Sequence, residues 1–74
     1  MNRINKKYPC LIEVWWGADE PILKESELYF SNKKEIIEYL NTHLQKYKGE
    51  DVECYVYQFY NNMPHESTIL VSII

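Results

Sequence analysis

The side chains with the most reactive chemistry are two cysteines and two histidines, and their spacing matches no ligand motif. Zinc is usually bound by ligands that come in pairs, as in C-x-x-C or H-x-x-x-H. Neither arrangement occurs here, where the soft ligands are Cys10, His43, Cys54 and His65. We therefore expect no metal and no cofactor, and we interpret both cysteines as small core residues with free thiols.

The chain also lacks a pattern typical of catalysis. Cys54 and His43 can be combined with a carboxylate on paper, but nothing in their spacing requires it, and an interior thiol is unreactive. Ser67 has no strained elbow around it. With Gly17 and Gly49 as its two glycines, the sequence has no glycine-rich phosphate loop. We predict a protein that is not an enzyme.

The length and net charge of the chain argue against several further classes of protein. Seventy-four residues make a single domain, whose first seven residues we interpret as a flexible lead-in. The net charge of −3 argues against a general nucleic-acid binder, which needs a basic stripe to displace counterions. No run approaches the roughly 20 apolar residues that span a bilayer, and no signal peptide is evident. We expect no direct nucleic-acid or membrane partner and a cytoplasmic location.

Residues 31–49 have the pattern of an amphipathic helix. Asn32 is suited to cap the helix, and Glu35 stands three residues later, as in a capping box. Gly49 is a typical residue just beyond a helix end. Apolar residues recur at spacings of three and four, which predicts one buried face; they are Ile36, Ile37, Leu40, Leu44 and Tyr47.

Four strands flank this helix. Alternating residues predict strands over 8–16, 22–30, 51–60 and 67–74, with turns over 17–21 and 61–66. Each pair of strands has a short connection, which favours antiparallel hairpins. The predicted fold is α+β, a two-layer β-β-α-β-β sandwich in which one helix packs on one face of a four-stranded, mainly antiparallel sheet.

The two faces of this sheet differ in composition. The face suited to the helix has small aliphatic residues, namely Cys10, Ile12, Val14, Leu28, Val52, Cys54, Val56, Ile69, Val71 and Ile73, with Trp16 and Phe30 at its ends. The other face combines aromatic residues with carboxylates. Aromatic residues are enriched in binding hot spots, so we predict a partner-binding surface here. The predicted partner-binding residues are Glu13, Trp15, Glu27, Tyr29, Glu53, Tyr55, Tyr57 and Phe59. Leu11, Glu25 and Leu70 are predicted to lie on the same face without being assigned to the binding site.

Other interpretations of the aromatic face stay open. Cross-strand tyrosine pairs also stabilise a solvated face that binds nothing. The face is also suited to form the interface between two copies of the chain, as in a small homodimeric housekeeping or ligand-binding domain. RNA-binding sheets also present aromatic residues, but among basic side chains rather than carboxylates such as Glu13, Glu27 and Glu53.

Acidic residues cluster in the first turn, where Asp19 and Glu20 form an acidic loop that would steer the protein to a basic surface. We therefore predict a protein–protein interaction module whose partner has a basic surface. In size, charge and predicted architecture the chain resembles the small inhibitors of phages and mobile elements, anti-CRISPR proteins among them. That resemblance implies a basic, nucleic-acid-handling host protein as the target. It also implies a location in the host cytoplasm if a phage encodes the chain.

Overall fold

The computed structural model describes residues 4–17 and 19–74, so residues 1–3 of the predicted lead-in and Ala18 of the first turn lie outside the described part. Its helices and strands follow the predicted order. They are β1 (Cys10–Trp15), β2 (Leu23–Leu28), α1 (Lys33–His43), a 3₁₀ helix (Gln45–Tyr47), β3 (Asp51–Tyr60) and β4 (Met63–Ser72).

The four strands form one antiparallel sheet in the order β2-β1-β3-β4. Each hairpin therefore occupies one half of the sheet, and the pairing of β1 with β3 joins the halves at the centre. The helix α1 packs on one face. The predicted α+β sandwich is confirmed. Alternation of residues along the strands does not determine the strand order, which the structure shows.

The start of α1 is set by a side-chain cap. The Asn32 Oδ1 atom accepts a hydrogen bond from the Glu35 backbone N–H at 3.0 Å, which satisfies one of the free donors of the first turn. The Glu35 carboxylate accepts in return from the backbone N–H of Ser31 at 2.6 Å. The predicted cap is confirmed, with Ser31 rather than Asn32 as the second donor.

The helix ends earlier than the apolar spacing predicts. The Leu44 N–H still donates to Leu40 in the α-helical manner, but the Tyr47 N–H donates to Leu44, three residues back. The chain thus tightens into the 3₁₀ helix. Gly49 follows with a φ of 93°, and its N–H donates to the Ile73 carbonyl at 2.8 Å, which leads the chain into β3.

The core lies between α1 and the covered face of the sheet. Ile36 and Leu40 of the helix are completely buried against it. Of the ten aliphatic and cysteine residues predicted for this face, nine are buried and Leu28 is partly buried. Trp16, predicted to continue the face, lies beyond the end of β1, where its ring packs edge-on against Tyr47 with centroids 5.3 Å apart.

A bulge in β2 changes one predicted face. Cys10 pairs with Leu28, but Ile12 pairs with Glu25, so β2 has one extra residue between these pairs. Glu25 therefore lies on the covered side, where its carboxylate accepts a 2.6 Å hydrogen bond from the Tyr39 hydroxyl. The predicted placement of Glu25 beside the aromatic residues is wrong for this reason. Glu27, inside the bulge, has a φ of 59°.

The second hairpin is tighter than predicted. Asn61 and Asn62 have φ values of 53° and 57°, as the two central residues of a type I′ turn do. The stretch from Met63 to Glu66, predicted as part of the turn, instead pairs with β3. Pro64 is tolerated there because β4 is an edge strand, where a missing N–H need not break a ladder bond.

Gln58 fixes the chain before β1. This side chain, 2% exposed, accepts from the Asn5 N–H at 3.0 Å and donates to the carbonyls of Asn5 and Tyr8 at 2.8 and 2.9 Å. Ile4 packs against the core. From residue 4 onward, the segment predicted as a lead-in is therefore attached to the sheet.

The helix is also attached to the last strand. Asn41 donates to the Ser72 carbonyl at 3.3 Å and accepts from the Ile74 N–H at 2.8 Å. Gln45 donates to the Ile74 carbonyl at 2.9 Å. These bonds hold α1 on one face of the sheet and leave the opposite face uncovered by it.

Candidate functional site: an aromatic and acidic sheet face

The sheet face opposite α1, called here the outer face, combines aromatic rings with carboxylates. Side chains alternate between the two faces of a strand. Because Ile12 and Cys54 lie in the core, their neighbours along β1 and β3 point outward. In these two central strands the outer face consists of Leu11, Glu13, Trp15, Asp51, Glu53, Tyr55, Tyr57 and Phe59.

The pairing of β1 with β3 alternates rings and carboxylates in both directions. Trp15 is directly opposite Glu53, and Glu13 is directly opposite Tyr55. Directly opposed side chains have Cβ atoms about 4.5–5.5 Å apart, which is within contact range. Along β3, Glu53 and Tyr55 are also neighbours on the same face. Each of these carboxylates therefore has an aromatic ring across the strand gap and another ring along its own or the adjoining strand.

These residues surround a depression open to solvent, with a volume of about 460 Å³. Gly17, in the turn after β1, contributes to the lining of this depression. The rings supply apolar walls and the carboxylates supply charge, as in sites that fix a ligand by a few polar groups. The lining consists of Glu13, Trp15, Gly17, Glu53, Tyr55 and Tyr57.

The two carboxylates of the depression differ in their partners. Glu13 forms an ion pair with Lys24 of β2, with 3.3 Å between Oε2 and Nζ. Glu53 accepts a hydrogen bond from the Tyr55 hydroxyl at 3.3 Å. Within residues 4–17 and 19–74, Glu53 has no cationic partner. A negative charge beside aromatic rings is thus left without a counterion from the described part of the chain.

The negative charges of this face contribute to raised pKa values of its tyrosine hydroxyls. The charge of Glu53 raises the pKa of the Tyr55 hydroxyl, with smaller contributions from partial burial and from the hydrogen bond to Glu53. Partial burial raises the pKa of Tyr57, and the charges of Glu66 and Glu13 add to it. Both hydroxyls therefore stay protonated and able to donate hydrogen bonds at neutral pH.

The structure brings five of the predicted partner-binding residues together around the depression and places the others elsewhere. Tyr29 lies just beyond the end of β2 and is 59% exposed. Phe59 is on the outer face but near the second turn, and is 69% exposed. Glu27 is in the bulge of β2. The acidic-loop residues Asp19 and Glu20 are exposed in the turn that follows Gly17.

Strand pairing places three further residues on the outer face that were not predicted from the sequence as part of the site. Lys24 pairs with Glu13, and Glu66 and Thr68 pair with Tyr57 and Tyr55. Glu66 could have been found from sequence by starting β4 before Pro64, at Met63. For Lys24 there was no clear signal, because the bulge determines which β2 residues face outward.

The reactive side chains predicted to be inert are away from this face. Burial raises the pKa of the Cys54 thiol to about 12 and also raises the pKa of Cys10. Both thiols are free and buried, and a protonated, inaccessible thiol is a poor nucleophile and metal ligand. Among the described residues, no three His, Cys, Asp or Glu side chains are grouped so as to hold a metal ion.

Comparison with known proteins gives no relative. No family model, no curated protein and no solved structure matches the chain. In the part of the chain that the structure describes, no helix has the length and apolar character needed to cross a membrane. The interpretation of the outer face therefore depends on its own geometry and charge.

Proposed function

We propose that this protein is a non-enzymatic protein-binding module whose outer face contacts a basic surface of a partner protein. The observation that supports it most is the arrangement of Trp15, Tyr55 and Tyr57 around two carboxylates on a face that α1 leaves uncovered. Partly exposed aromatic residues of this kind are enriched in the central parts of protein interfaces.

The charge of the outer face supports a basic partner. Among the described residues in strand pairing, the carboxylates of the outer face outnumber its cations. The one cation is Lys24, and the four carboxylates are those of Glu13, Asp51, Glu53 and Glu66. The chain as a whole has a net charge of −3. Complementary charge raises association rates and excludes partners of like charge.

A homodimer through the same face is the second candidate. The exposed Leu70 and Phe59, 68% and 69% accessible, favour burial of this surface. However, a twofold axis near the depression would bring copies of Glu13 and Glu53 close to one another, and like charges at an interface are costly. The charge of the face therefore favours a different, basic partner over a second copy.

More specifically, we propose that the protein is a small inhibitor of the type carried by phages and mobile elements, such as anti-CRISPR proteins. In that role the acidic outer face would occupy the basic surface with which a host protein handles nucleic acid. The net negative charge and the two-layer fold of the chain support this version.

Affinity capture from a lysate of the source organism, followed by mass spectrometry, tests the proposal. The bait proteins are the wild type, a variant with Tyr55→Thr and Tyr57→Thr, and a control with Lys34→Ala and Glu38→Ala on the exposed side of α1. Threonine preserves strand propensity, so the outer-face variant is expected to fold. Circular dichroism and urea unfolding verify this for each bait.

We expect one stoichiometric partner with a basic surface that binds the wild type and the α1 control but not the outer-face variant. Capture of the same partner by all three baits would contradict the proposal. A protein that sediments as a dimer and loses the dimer with the two tyrosines would favour the homodimer instead.

A further inference from the structure

We propose that the depression around Glu53 receives an arginine side chain of the partner. This inference rests on the proposed function and names the chemical group that the outer face would recognise. It goes beyond a general attraction between acidic and basic surfaces, because it assigns one position on the sheet to one side chain.

A cation is the group that this depression would attract. Glu53 has no cationic partner among the described residues, whereas Glu13 beside it is already paired with Lys24. Trp15 lies directly across from Glu53, and Tyr55 lies beside it on the same strand. Aromatic faces attract cations through their ring quadrupoles, and tryptophan does so most strongly. The carboxylate and the rings thus favour the same ligand charge.

Arginine fits this arrangement better than lysine. A guanidinium is planar, so it stacks on an aromatic ring while its N–H groups bind a carboxylate in a bidentate manner. An ammonium is compact and more strongly hydrated, so it loses more solvation when placed between rings. The depression is also lined by Tyr57, which extends the aromatic surface along β3 for the aliphatic part of the arginine side chain.

The two tryptophans of the chain provide a built-in comparison. Trp15 lines the depression, whereas the indole N–H of Trp16 donates to Glu50 at 3.3 Å and its ring packs on Tyr47. The two indole N–H signals in a ¹H–¹⁵N NMR spectrum are assigned with a Trp16→Phe variant. A ligand in the depression is expected to shift the Trp15 signal and leave the Trp16 signal in place.

The probes are three capped peptides that differ at one position: Gly-Arg-Gly, Gly-Lys-Gly and Gly-citrulline-Gly. Citrulline has nearly the shape of arginine without its charge. We expect the arginine peptide to shift the Trp15 indole signal with saturation, the lysine peptide to bind more weakly, and the citrulline peptide to give no saturable shift. Glu53→Gln is expected to weaken arginine binding about tenfold, the effect of losing a charge-assisted hydrogen bond.

Glu38→Gln on α1 is the matched control, since it removes the same charge from an exposed position on the other side of the molecule. Equal effects of Glu53→Gln and Glu38→Gln, equal shifts by arginine and citrulline peptides, or absence of a Trp15 shift would each overturn the arginine assignment. The arginine peptide could fail to bind while the Tyr55→Thr and Tyr57→Thr variant still loses its captured partner. In that case the proposed function stands and the assignment of an arginine to the depression is wrong. If the peptide binds but that variant keeps its partner, the proposed function is the part that fails.

Discussion

The two faces of the same strands differ in composition and in exposure to solvent. On the covered face of β1 and β3, Ile12, Val14, Val52 and Cys54 are fully buried beneath α1. On the outer face, one residue away along the same strands, Tyr55 and Tyr57 keep part of their surface in solvent beside carboxylates. A stable sheet of this size needs one apolar face, and the covered face supplies it.

Under the proposed function, stability resides on the covered face and recognition on the outer face. Aliphatic residues on the covered face contribute by removing apolar area from water. Aromatic residues on the outer face contribute less to the core, so they are available to a partner. If this division holds, substitutions on the covered face should change the free energy of unfolding, and substitutions on the outer face should mainly change binding.

The largest expected effect separates two neighbours on β1. Ile12→Ala leaves a cavity under α1 and should lower the free energy of unfolding by about 2–5 kcal/mol. Leu11→Ala, on the outer face, should lower it by less than about 1 kcal/mol. Urea unfolding monitored by circular dichroism measures both values. Similar losses for the two variants would show that the faces do not differ as described.

The second prediction concerns Gln58, which is the one buried polar residue within residues 4–17 and 19–74. Gln58→Leu removes its three hydrogen bonds to the backbone of Asn5 and Tyr8, and leaves those groups partly unsatisfied. We expect a loss of about 1–3 kcal/mol in the free energy of unfolding. Hydrogen exchange of the Asn5 amide should become faster. Unchanged exchange at Asn5 would mean that Gln58 does not hold this segment.

The third prediction uses the thiols of the covered face. Their pKa values are raised by burial, that of Cys54 to about 12 from the ordinary value of 9.0. Above pH 9 the unfolded chain therefore loses thiol protons that the folded chain keeps. The free energy of unfolding should be unaffected by these groups below pH 9, and should fall above it by up to about 1.4 kcal/mol per pH unit for each thiol.

Urea unfolding at pH 7, 9 and 10 measures this slope, and Cys54→Ala is the control that removes the contribution of one thiol. A slope between pH 9 and 10 that is equal in the variant and the wild type would contradict the burial of Cys54. Tyrosine ionisation is common to both proteins and cancels in the comparison.

The smallest expected effect is on the outer face. Lys24→Met breaks the exposed ion pair with Glu13, and such pairs contribute at most about 1 kcal/mol. We expect little change in urea unfolding but tighter binding of the arginine peptide, because Glu13 then has no competing cation. Weaker peptide binding in this variant would show that Lys24 takes part in the site rather than opposing it.

Much of the covered face was predictable from local sequence. The alternation in β3 and the spacing in α1 identified the core, because burial on one side imposes a period of two on a strand and about 3.6 on a helix. Asn32 was predictable as a cap for an equally local reason. The set of aromatic residues on the outer face followed from the same alternation.

The details of the outer face depend on non-local pairing. The bulge in β2 places Lys24 outward and Glu25 inward, since one extra residue exchanges the faces of a strand. The tight turn at Asn61 and Asn62 brings Glu66 onto this face. The position of β1 beside β3 sets Trp15 opposite Glu53. No local pattern encodes the bulge or the position of β1 beside β3, so the site could be outlined but not assembled from sequence.

The most direct test of the central claim is site-specific photo-crosslinking from the two faces of the molecule. A photoreactive amino acid replaces Thr68 on the outer face, opposite Tyr55, or Thr42 on the exposed side of α1. Both positions are exposed threonines, so they form a matched pair. Irradiation in a lysate of the source organism should give one discrete crosslinked partner with a basic surface from position 68, and none from position 42. The same partner crosslinked from position 42 alone, or equally from both positions, would contradict the claim that the outer face is the binding surface.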